Sequence, residues 1–288
     1  MACSKSFQAT RNITIVNIAA GLLLVPSLVA LCVTQFVLKH KPNGEKTKDL
    51  LIKVCTSSLS DEATIAAHSM QLLETKASDL LLYSIYAIAI IVTIAVNAIK
   101  NKAQACLLCL NILTLLNILC VEHSIANVFK AYEGEPRPFI LSVCKLPDKI
   151  LESDDCVETV KNFEGDIFEN LLEETREGYC TPKVARSHPS GHSSTAWALA
   201  TFSAIQLIIF AIPRFKQLRE SKPKVIRFLL LISLMILLVS FLAFQVMNGR
   251  VQEHFHTWRN CLSGMAIGIA SSLVLSIPFT YLQLQPDF

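Results

Sequence analysis

The sequence predicts an all-α, multi-pass membrane protein built as a bundle of six transmembrane helices. Of its 288 residues, 52% are hydrophobic and only 17% are charged, and the mean hydropathy is +0.46. The apolar residues are collected into continuous runs of about 20, the length that crosses a bilayer. Runs without a two-residue alternation favour helices over barrel strands. The same balance argues against a disordered chain, a coiled coil and a nucleic-acid-binding protein.

Six apolar runs are the predicted membrane spans. The first begins a few residues after Met1, but it is longer than the apolar part of a signal peptide and has no evident cleavage site, so we interpret it as a retained span. We therefore expect residues 1–288 to form one integral membrane domain. The spans are Ile13–Leu38, Asp79–Ile99, Ala105–His123, Ser193–Pro213, Ile226–Val246 and Cys261–Leu284.

The distribution of charge predicts the orientation. With a cytoplasmic N-terminus, the segments on the inner side hold ten basic and two acidic residues, a net charge of +8, and the other face carries −5. Six of the inner basic residues lie in the short loop from Arg214 to Arg227. Because short cytoplasmic loops carry an excess of Lys and Arg, we expect both termini in the cytoplasm. The membrane would be the plasma membrane or an endomembrane.

The opposite, extracellular or lumenal loops hold four cysteines. That environment is oxidising and permits disulfides, but the sequence leaves the pairing open. The four are Cys55, Cys144, Cys156 and Cys180.

Two polar clusters flank the third and fourth spans on this outer face. In the first, Lys130 leaves the third span and Arg137 follows beside Pro138; by itself this pair also fits ordinary snorkelling at a helix end. In the second, a serine and glycine precede His192 at the start of the fourth span. Backbone N–H groups at a helix start bind anions. Helix capping by Ser193 or Ser194 is the simpler alternative.

A third cluster lies between the fifth and sixth spans and contains Arg250, Glu253, His256 and Asn260. If the chain is helical from His256, Asn260 lies four residues on, on the same face, and its amide can hold one ring nitrogen. A solvated polar loop is the alternative. The predicted topology brings the three clusters to one membrane face, where cations, a helix N-terminus and two histidines would form a phosphate site.

These clusters resemble the motifs of the type 2 phosphatidic acid phosphatases, the lipid phosphate phosphatases. That family's motifs are Lys, six residues, Arg-Pro; Pro-Ser-Gly-His; and Ser-Arg, five residues, His, three residues, Asp. The resemblance extends from the third to the sixth span, and the cysteines of the intervening loop also fit the family's pattern. The motifs appear here as Lys130 with Arg137-Pro138, as Pro189-Ser190-Gly191-His192, and as Gly249-Arg250 with His256 and Asn260.

The resemblance implies a hydrolase that needs no metal or other cofactor. His256 would attack phosphorus to form a phosphohistidine, and His192 would protonate the leaving alkoxide and later activate water. Protein cations would supply the charge that Mg²⁺ supplies in other phosphoryl-transfer enzymes. The phosphoryl oxygens would be held by Lys130, Arg137, Ser190, Gly191 and Arg250.

Two positions differ from the family pattern. Gly249 replaces a serine and Asn260 replaces an aspartate. An amide can select the reactive histidine tautomer, but it cannot stabilise the positive charge that develops on the ring. The same change in a serine protease lowers turnover by about 10⁴-fold. Glu253, three residues before His256, would supply a replacement carboxylate if the turn were helical.

The main hypothesis is therefore a phosphatase for phosphatidate, lysophosphatidate or sphingoid-base phosphates at the outer leaflet. Its expected partners are a lipid phosphate and the bilayer, with no nucleic acid, and the oligomeric state is open. The alternatives are a non-catalytic relative that binds lipid phosphates or membrane partners, and a lipid phosphotransferase. A channel is disfavoured because the spans show no line of intramembrane charges.

Overall fold

The structure is a computed structural model, and it describes residues 21–34, 44–56, 66–71, 76–96, 102–164, 167–176, 178–218 and 222–283. Helices dominate these ranges. The longer ones are α1 Gly21–Thr34, α2 Gly44–Thr56, α3 Ala77–Val96, α4 Lys102–Glu133, α9 Gly191–Leu218, α10 Lys222–Gln252 and α11 Trp258–Gln283.

The segment between α4 and α9 contains short elements. Four short helices are α5 Ile140–Val143, α6 Asp148–Leu151, α7 Cys156–Asn162 and α8 Ile167–Asn170. Two short strands, β1 Cys144–Lys145 and β2 Glu173–Glu174, pair antiparallel with Cys144 opposite Glu174. A 3₁₀ turn at Pro182–Ala185 precedes α9.

Five helices in the described ranges are long and apolar enough to cross a membrane, which confirms the prediction of an all-α, multi-pass protein. They correspond to the second to sixth predicted spans. Of the first predicted span, Ile13–Leu38, only the apolar helix α1 is described, and it is shorter than a full span; the rest lies outside the described residues. The first span, and with it the count of six, thus stays a prediction. The five are Ala77–Val96, Leu107–Glu133, Gly191–Phe215, Lys222–Gln252 and Trp258–Ile277.

Helix α4 continues beyond His123, the predicted end of the third span, to Glu133. The polar residues near position 122 suggested the end of the apolar run. In the structure Glu122 is fully buried, and its carboxylate accepts hydrogen bonds from the hydroxyls of Ser194 and Thr195 on α9. A buried carboxylate with such donors is compatible with a continuing helix, and the extra turns place Lys130 at the end of α4.

Helix α9 is the central element, in contact with α3, α4, α10 and α11. Two glycines of α11 permit a close approach to α9. A Cβ at Gly264 would lie 2.3 Å from the Ser190 carbonyl oxygen, and one at Gly268 would lie 2.1 Å from the Ser194 carbonyl oxygen. Small residues four apart let membrane helices approach closely. This contact fixes the start of α9 against α11.

Helix α2 and the segment between α4 and α9 form a small cap with its own apolar core, which includes the buried side chains of Leu51, Phe139 and Val160. Two disulfides cross-link the cap and resolve the pairing that the sequence left open. They are Cys55–Cys156 and Cys144–Cys180, with Cα–Cα distances of 5.7 and 5.3 Å.

The cap is joined to the loop between α10 and α11. Phe255 packs against the cap core, and its ring meets the ring of Phe139 edge to face at 5.4 Å between centroids. Because Phe255 directly precedes His256, this aromatic contact helps to fix the backbone that carries the histidine.

Replacing Gly268 by Val should lower the free energy of unfolding by about 1–3 kcal/mol, the usual cost of overpacking a tight contact. The measurement is thermal unfolding of the purified protein in detergent. Ala270→Val is the matched control, because Ala270 is exposed on the same helix, and its midpoint should equal that of the wild type. A wild-type midpoint for Gly268→Val would contradict the α9–α11 contact.

Candidate active site

Ser190 is the N-cap of α9. Its hydroxyl oxygen accepts hydrogen bonds from the Ser193 N–H at 3.4 Å and the Ser193 hydroxyl at 3.1 Å. Capping by Ser193 or Ser194, the simpler alternative from the sequence, is therefore wrong, since Ser194 bonds Glu122 instead. The N–H groups of Gly191 and His192 lie in the first turn, where a helix provides no preceding acceptor.

Lys130 lies against this helix start. A Cβ placed on Gly191 would be 3.1 Å from the Lys130 Nζ, so the ammonium group contacts the first turn of α9 where a side chain would displace it. The absence of a side chain at Gly191 thus lets a cation approach the helix N-terminus, whose N–H groups also favour an anion.

Arg137 is held by the loop that precedes α9. Its backbone N–H donates to the Val184 carbonyl oxygen at 2.8 Å, and its Nε donates to the Lys183 carbonyl oxygen at 3.3 Å. Its guanidinium lies 5.3 Å from the ring centroid of Phe255. Burial and the neighbouring Arg250 lower the pKa of Arg137 to about 9, so the group is still cationic at neutral pH.

At the end of α10 the chain reverses direction, so that the following residues lie over Arg250. His254 has a left-handed φ of 60°; its N–H donates to the Val251 carbonyl at 3.0 Å, and the Phe255 N–H donates to the Arg250 carbonyl at 3.1 Å. These two bonds form a Schellman motif, the common helix end with a left-handed residue. The turn stacks Phe255 on the Arg250 guanidinium, 3.9 Å from the ring centroid, and places His256 next.

His256 is 3% exposed, and its ring is fixed by a backbone carbonyl. The Nδ1 atom lies 2.8 Å from the carbonyl oxygen of Ser187. Because a carbonyl oxygen only accepts, Nδ1 carries the proton and Nε2 keeps its lone pair. The backbone of Ser187 therefore selects the tautomer, a function that the sequence had suggested for Asn260.

Asn260 contacts His256 only through Ser187. Its Nδ2 donates to the Ser187 hydroxyl at 2.7 Å, while its buried Oδ1 has no hydrogen-bond partner among the described residues. The expected bond from the amide oxygen to the ring is therefore wrong. The local helix was also misplaced, since Thr257 caps α11 and His256 lies before it. The Asn260 carbonyl accepts the Ser190 N–H at 2.9 Å, so Asn260 ties the loop before α9 at two points.

Glu253 lies beside Arg250 and Ser78. Its Oε2 accepts from the Ser78 hydroxyl at 2.7 Å and pairs with Arg250 Nη1 at 3.2 Å, and its Oε1 accepts the Ser78 N–H at 3.3 Å. Residues 253 to 256 form a turn, whereas the hypothesis that Glu253 replaces the missing carboxylate required a helix there. These contacts assign the carboxylate to holding Arg250, and the electrostatic influences on His256 come instead from cationic neighbours.

The structure adds a residue that the motif search missed. Asp79, in the first turn of α3, accepts a hydrogen bond from His192 Nε2 at 2.8 Å and lies 3.6 Å from Arg250 Nη1. A signal was present in the sequence, because Asp79 is the only charged residue of the 20-residue apolar helix Ala77–Val96. Charged residues at membrane depth are rare and often functional.

The predicted site residues thus meet at one end of the bundle, from three separate parts of the chain. Burial first, and then the charges of Arg137, Arg250, Lys130 and His192, lower the pKa of His256 well below 6.5. His256 is therefore neutral at neutral pH. In the part of the chain that the structure describes, no group of three or more His, Cys, Asp or Glu has an arrangement that could hold a metal ion.

A protein-family model decides the family. The model of the PAP2 superfamily matches residues 107–283, more than half of the chain. The chain belongs to the PAP2 superfamily. Searches of curated proteins and of solved structures found no match.

Membership in the PAP2 superfamily supports a hydrolase of the phosphatase type that acts on phosphate esters. The matched region begins in α4 and ends with α11, so it includes all three motifs and the loop between them. Together with the five apolar helices, it describes a membrane-embedded member of the superfamily.

The ring of His256 should bind a proton only well below pH 6.5. The ¹⁵N chemical shifts of the ring, followed during acid titration of the detergent-solubilised protein, measure this directly. Replacing Arg137 by Gln should raise the transition pH, because it removes the largest of the charge contributions that disfavour the imidazolium. Arg137→Lys keeps the charge and should titrate near the wild type. A wild-type transition at or above pH 6.5, or equal transitions in both variants, would contradict this electrostatic description.

Proposed function

We propose that this PAP2 protein is a metal-independent phosphatase for lipid phosphomonoesters, with His256 as the nucleophile. The observation that supports this function best is the state of His256. Its Nδ1–H is bound to the Ser187 carbonyl, its ring is neutral, and its free Nε2 is surrounded by cationic side chains. A neutral imidazole nitrogen beside several cations is suited to attack an anionic phosphoryl group.

The cations would hold the phosphoryl oxygens. Lys130 and the first-turn N–H groups would bind from the start of α9, and Arg137 and Arg250, which both contact the Phe255 ring, would bind from beside it. Guanidinium groups suit this function because their donors match phosphate geometry. Because these groups neutralise the charge that develops on the phosphoryl oxygens, the reaction needs no metal.

His192 would complete the reaction as acid and base. It would protonate the leaving alkoxide while His256 Nε2 forms the phosphohistidine, and it would then deprotonate the water that hydrolyses this intermediate. It follows Gly191, which Lys130 contacts, in the first turn of α9, and the charges of Arg250 and Lys130 act on its ring.

The substrate class follows from the position of the site. The site lies where α3, α9 and α11 begin and α4 and α10 end, at the border between the apolar bundle and the disulfide-linked cap. A lipid whose tails stay in the bilayer would present its headgroup there. With cytoplasmic termini, this end faces the extracellular or lumenal side, and phosphatidate, lysophosphatidate and sphingoid-base phosphates are the proposed substrates.

A non-catalytic lipid-phosphate-binding protein is the second candidate, and the geometry of Asn260 favours it. Asn260 reaches His256 only through Ser187. A carbonyl dipole stabilises the positive charge of an attacking imidazole less than a full carboxylate does. The binding groups would then be retained while turnover is slow or absent.

Phosphate release from dioctanoyl phosphatidate by purified protein, in detergent with a chelator present, tests the proposal. We expect turnover in the wild type and a loss of at least about 10³-fold in His256→Ala, as for other catalytic nucleophiles. His254→Asn is the matched control, because Asn tolerates the left-handed backbone of that position. It should retain nearly all activity.

Asn260→Asp separates the two candidate functions. Its carboxylate would accept the Ser187 hydroxyl proton and add negative charge beside His256, so turnover should rise at least severalfold. No release by the wild type together with release by Asn260→Asp would support the non-catalytic candidate. No release by either protein, with phosphatidate binding that survives His256→Ala, would refute the catalytic proposal.

A further inference from the structure

The N-terminus of α3 reaches into the candidate site, although none of the three sequence motifs includes it. The carboxylate of Asp79 accepts the His192 Nε2 hydrogen bond at 2.8 Å and lies 3.6 Å from Arg250 Nη1. The bond joins two residues that are 113 positions apart. It therefore depends on the tertiary fold and cannot form within α3 or α9 alone.

We propose that Asp79 is a positioning residue that holds His192 for acid–base catalysis. The proposal rests on the proposed phosphatase function and adds the Asp79 carboxylate to the groups of the active site. With the Nε2 proton bound to Asp79, the proton that His192 exchanges is carried by Nδ1. A carboxylate bonded to one ring nitrogen fixes the tautomer and orientation of a catalytic histidine and stabilises its imidazolium form, as in the serine-protease triad.

The proton movements balance through both steps. In the first, the phosphomonoester binds as its monoanion and gives its proton to His192 Nδ1; the P–O bond to the alkoxide then breaks as the bond from phosphorus to His256 Nε2 forms, and that Nδ1 proton passes to the alkoxide oxygen. In the second, water attacks phosphorus and the P–N bond breaks, while His192 Nδ1 accepts a proton from that water. Asp79 keeps its bond to the Nε2 proton throughout.

Ser78 holds Asp79 in place. Its N–H and hydroxyl both bond the carboxylate of Glu253, and its hydroxyl oxygen also accepts a bond from Arg250 Nη1 at 3.3 Å. Ser78 is fully buried. These bonds join the first turn of α3 to the end of α10. They therefore hold the backbone that carries the Asp79 side chain in position.

Gly249 permits this contact. A Cβ on Gly249 would lie 3.1 Å from the Ser78 Cβ, which is tighter than an ordinary contact. The family pattern has a serine here, and the Cβ of a serine would require the start of α3 to shift by a few tenths of an ångström. The glycine in place of the family's serine therefore leaves room for Ser78 and Asp79 to lie in the site, where the Ser78 hydroxyl bonds Arg250.

The test compares kcat/KM for two substrates whose leaving groups differ in how strongly they depend on protonation by a general acid. The alkoxide of dioctanoyl phosphatidate leaves only when protonated, whereas the phenolate of 4-nitrophenyl phosphate leaves without a proton. Because general acid catalysis contributes about 10²–10⁴-fold, Asp79→Asn should lower kcat/KM for phosphatidate by roughly tenfold or more. We expect less than about a twofold loss for the aryl phosphate.

Three further variants sharpen the comparison. His192→Ala should show the same dependence on the leaving group, and Asp79→Glu should restore part of the phosphatidate activity. Arg137→Gln is the matched control, because it acts through phosphate binding and should lower kcat/KM for both substrates equally. Equal losses on the two substrates for Asp79→Asn would assign Asp79 to binding or folding and overturn the proposal. Increased activity would also overturn it, since the carboxylate would then compete with phosphate.

A second measurement is independent of turnover. The ¹⁵N shifts of the His192 ring should show one tautomer, protonated at Nε2, in the wild type and a mixture in Asp79→Ala. Unchanged shifts in Asp79→Ala would overturn the Asp79 proposal whatever the activity. If the wild type releases no phosphate but the shifts change as expected, the proposed phosphatase function fails while the Asp79–His192 contact stands.

Discussion

The hydrogen bond from His256 Nδ1 to the Ser187 carbonyl oxygen is the contact on which the chemistry of the site depends. A backbone acceptor cannot change its protonation state at physiological pH, so it holds the nucleophilic tautomer without adding a negative charge. The bond requires the loop before α9 to be fixed, and Asn260 fixes that loop through the Ser187 hydroxyl and the Ser190 N–H. Gly264 completes this arrangement by letting α11 approach Ser190.

The negative charges of the site are placed away from His256, the proposed nucleophile. Glu253 pairs with Arg250, Asp79 with His192, and Glu122 with the hydroxyls at the start of α9. Burial and cationic side chains lower the pKa of His256 and keep its ring neutral. A neutral nucleophile in a cationic cleft can meet an anionic substrate without charge repulsion. In the proposed mechanism, a backbone dipole thus takes the place of the carboxylate that the family pattern has at position 260.

Local patterns in the sequence predicted much of the architecture. The apolar runs predicted five described spans, because bilayer length is a strong constraint, and the spacing from Lys130 to Arg137 predicted a pair that the structure brings to the start of α9. The end of α4 was not predictable in this way, because the burial of Glu122 depends on hydroxyls 72 and 73 positions away.

Contacts within the site were harder to predict than its composition. The helical spacing between His256 and Asn260 suggested a direct bond, but a Schellman turn and a separate cap at Thr257 interrupt the helix there. Asp79 was overlooked because its partner is distant in sequence. The disulfide pairs were likewise unreadable, since four cysteines allow three pairings.

Trapping of a phosphoenzyme tests the central claim most directly. His192→Ala should still be phosphorylated by a ³²P-labelled aryl phosphate, since that leaving group needs no acid, and it should hydrolyse the intermediate slowly. The account predicts label on the peptide that contains His256, stable in alkali and lost in acid, and none in the double variant with His256→Ala. Label on any other residue, or turnover of the aryl phosphate without a labelled intermediate, would contradict it.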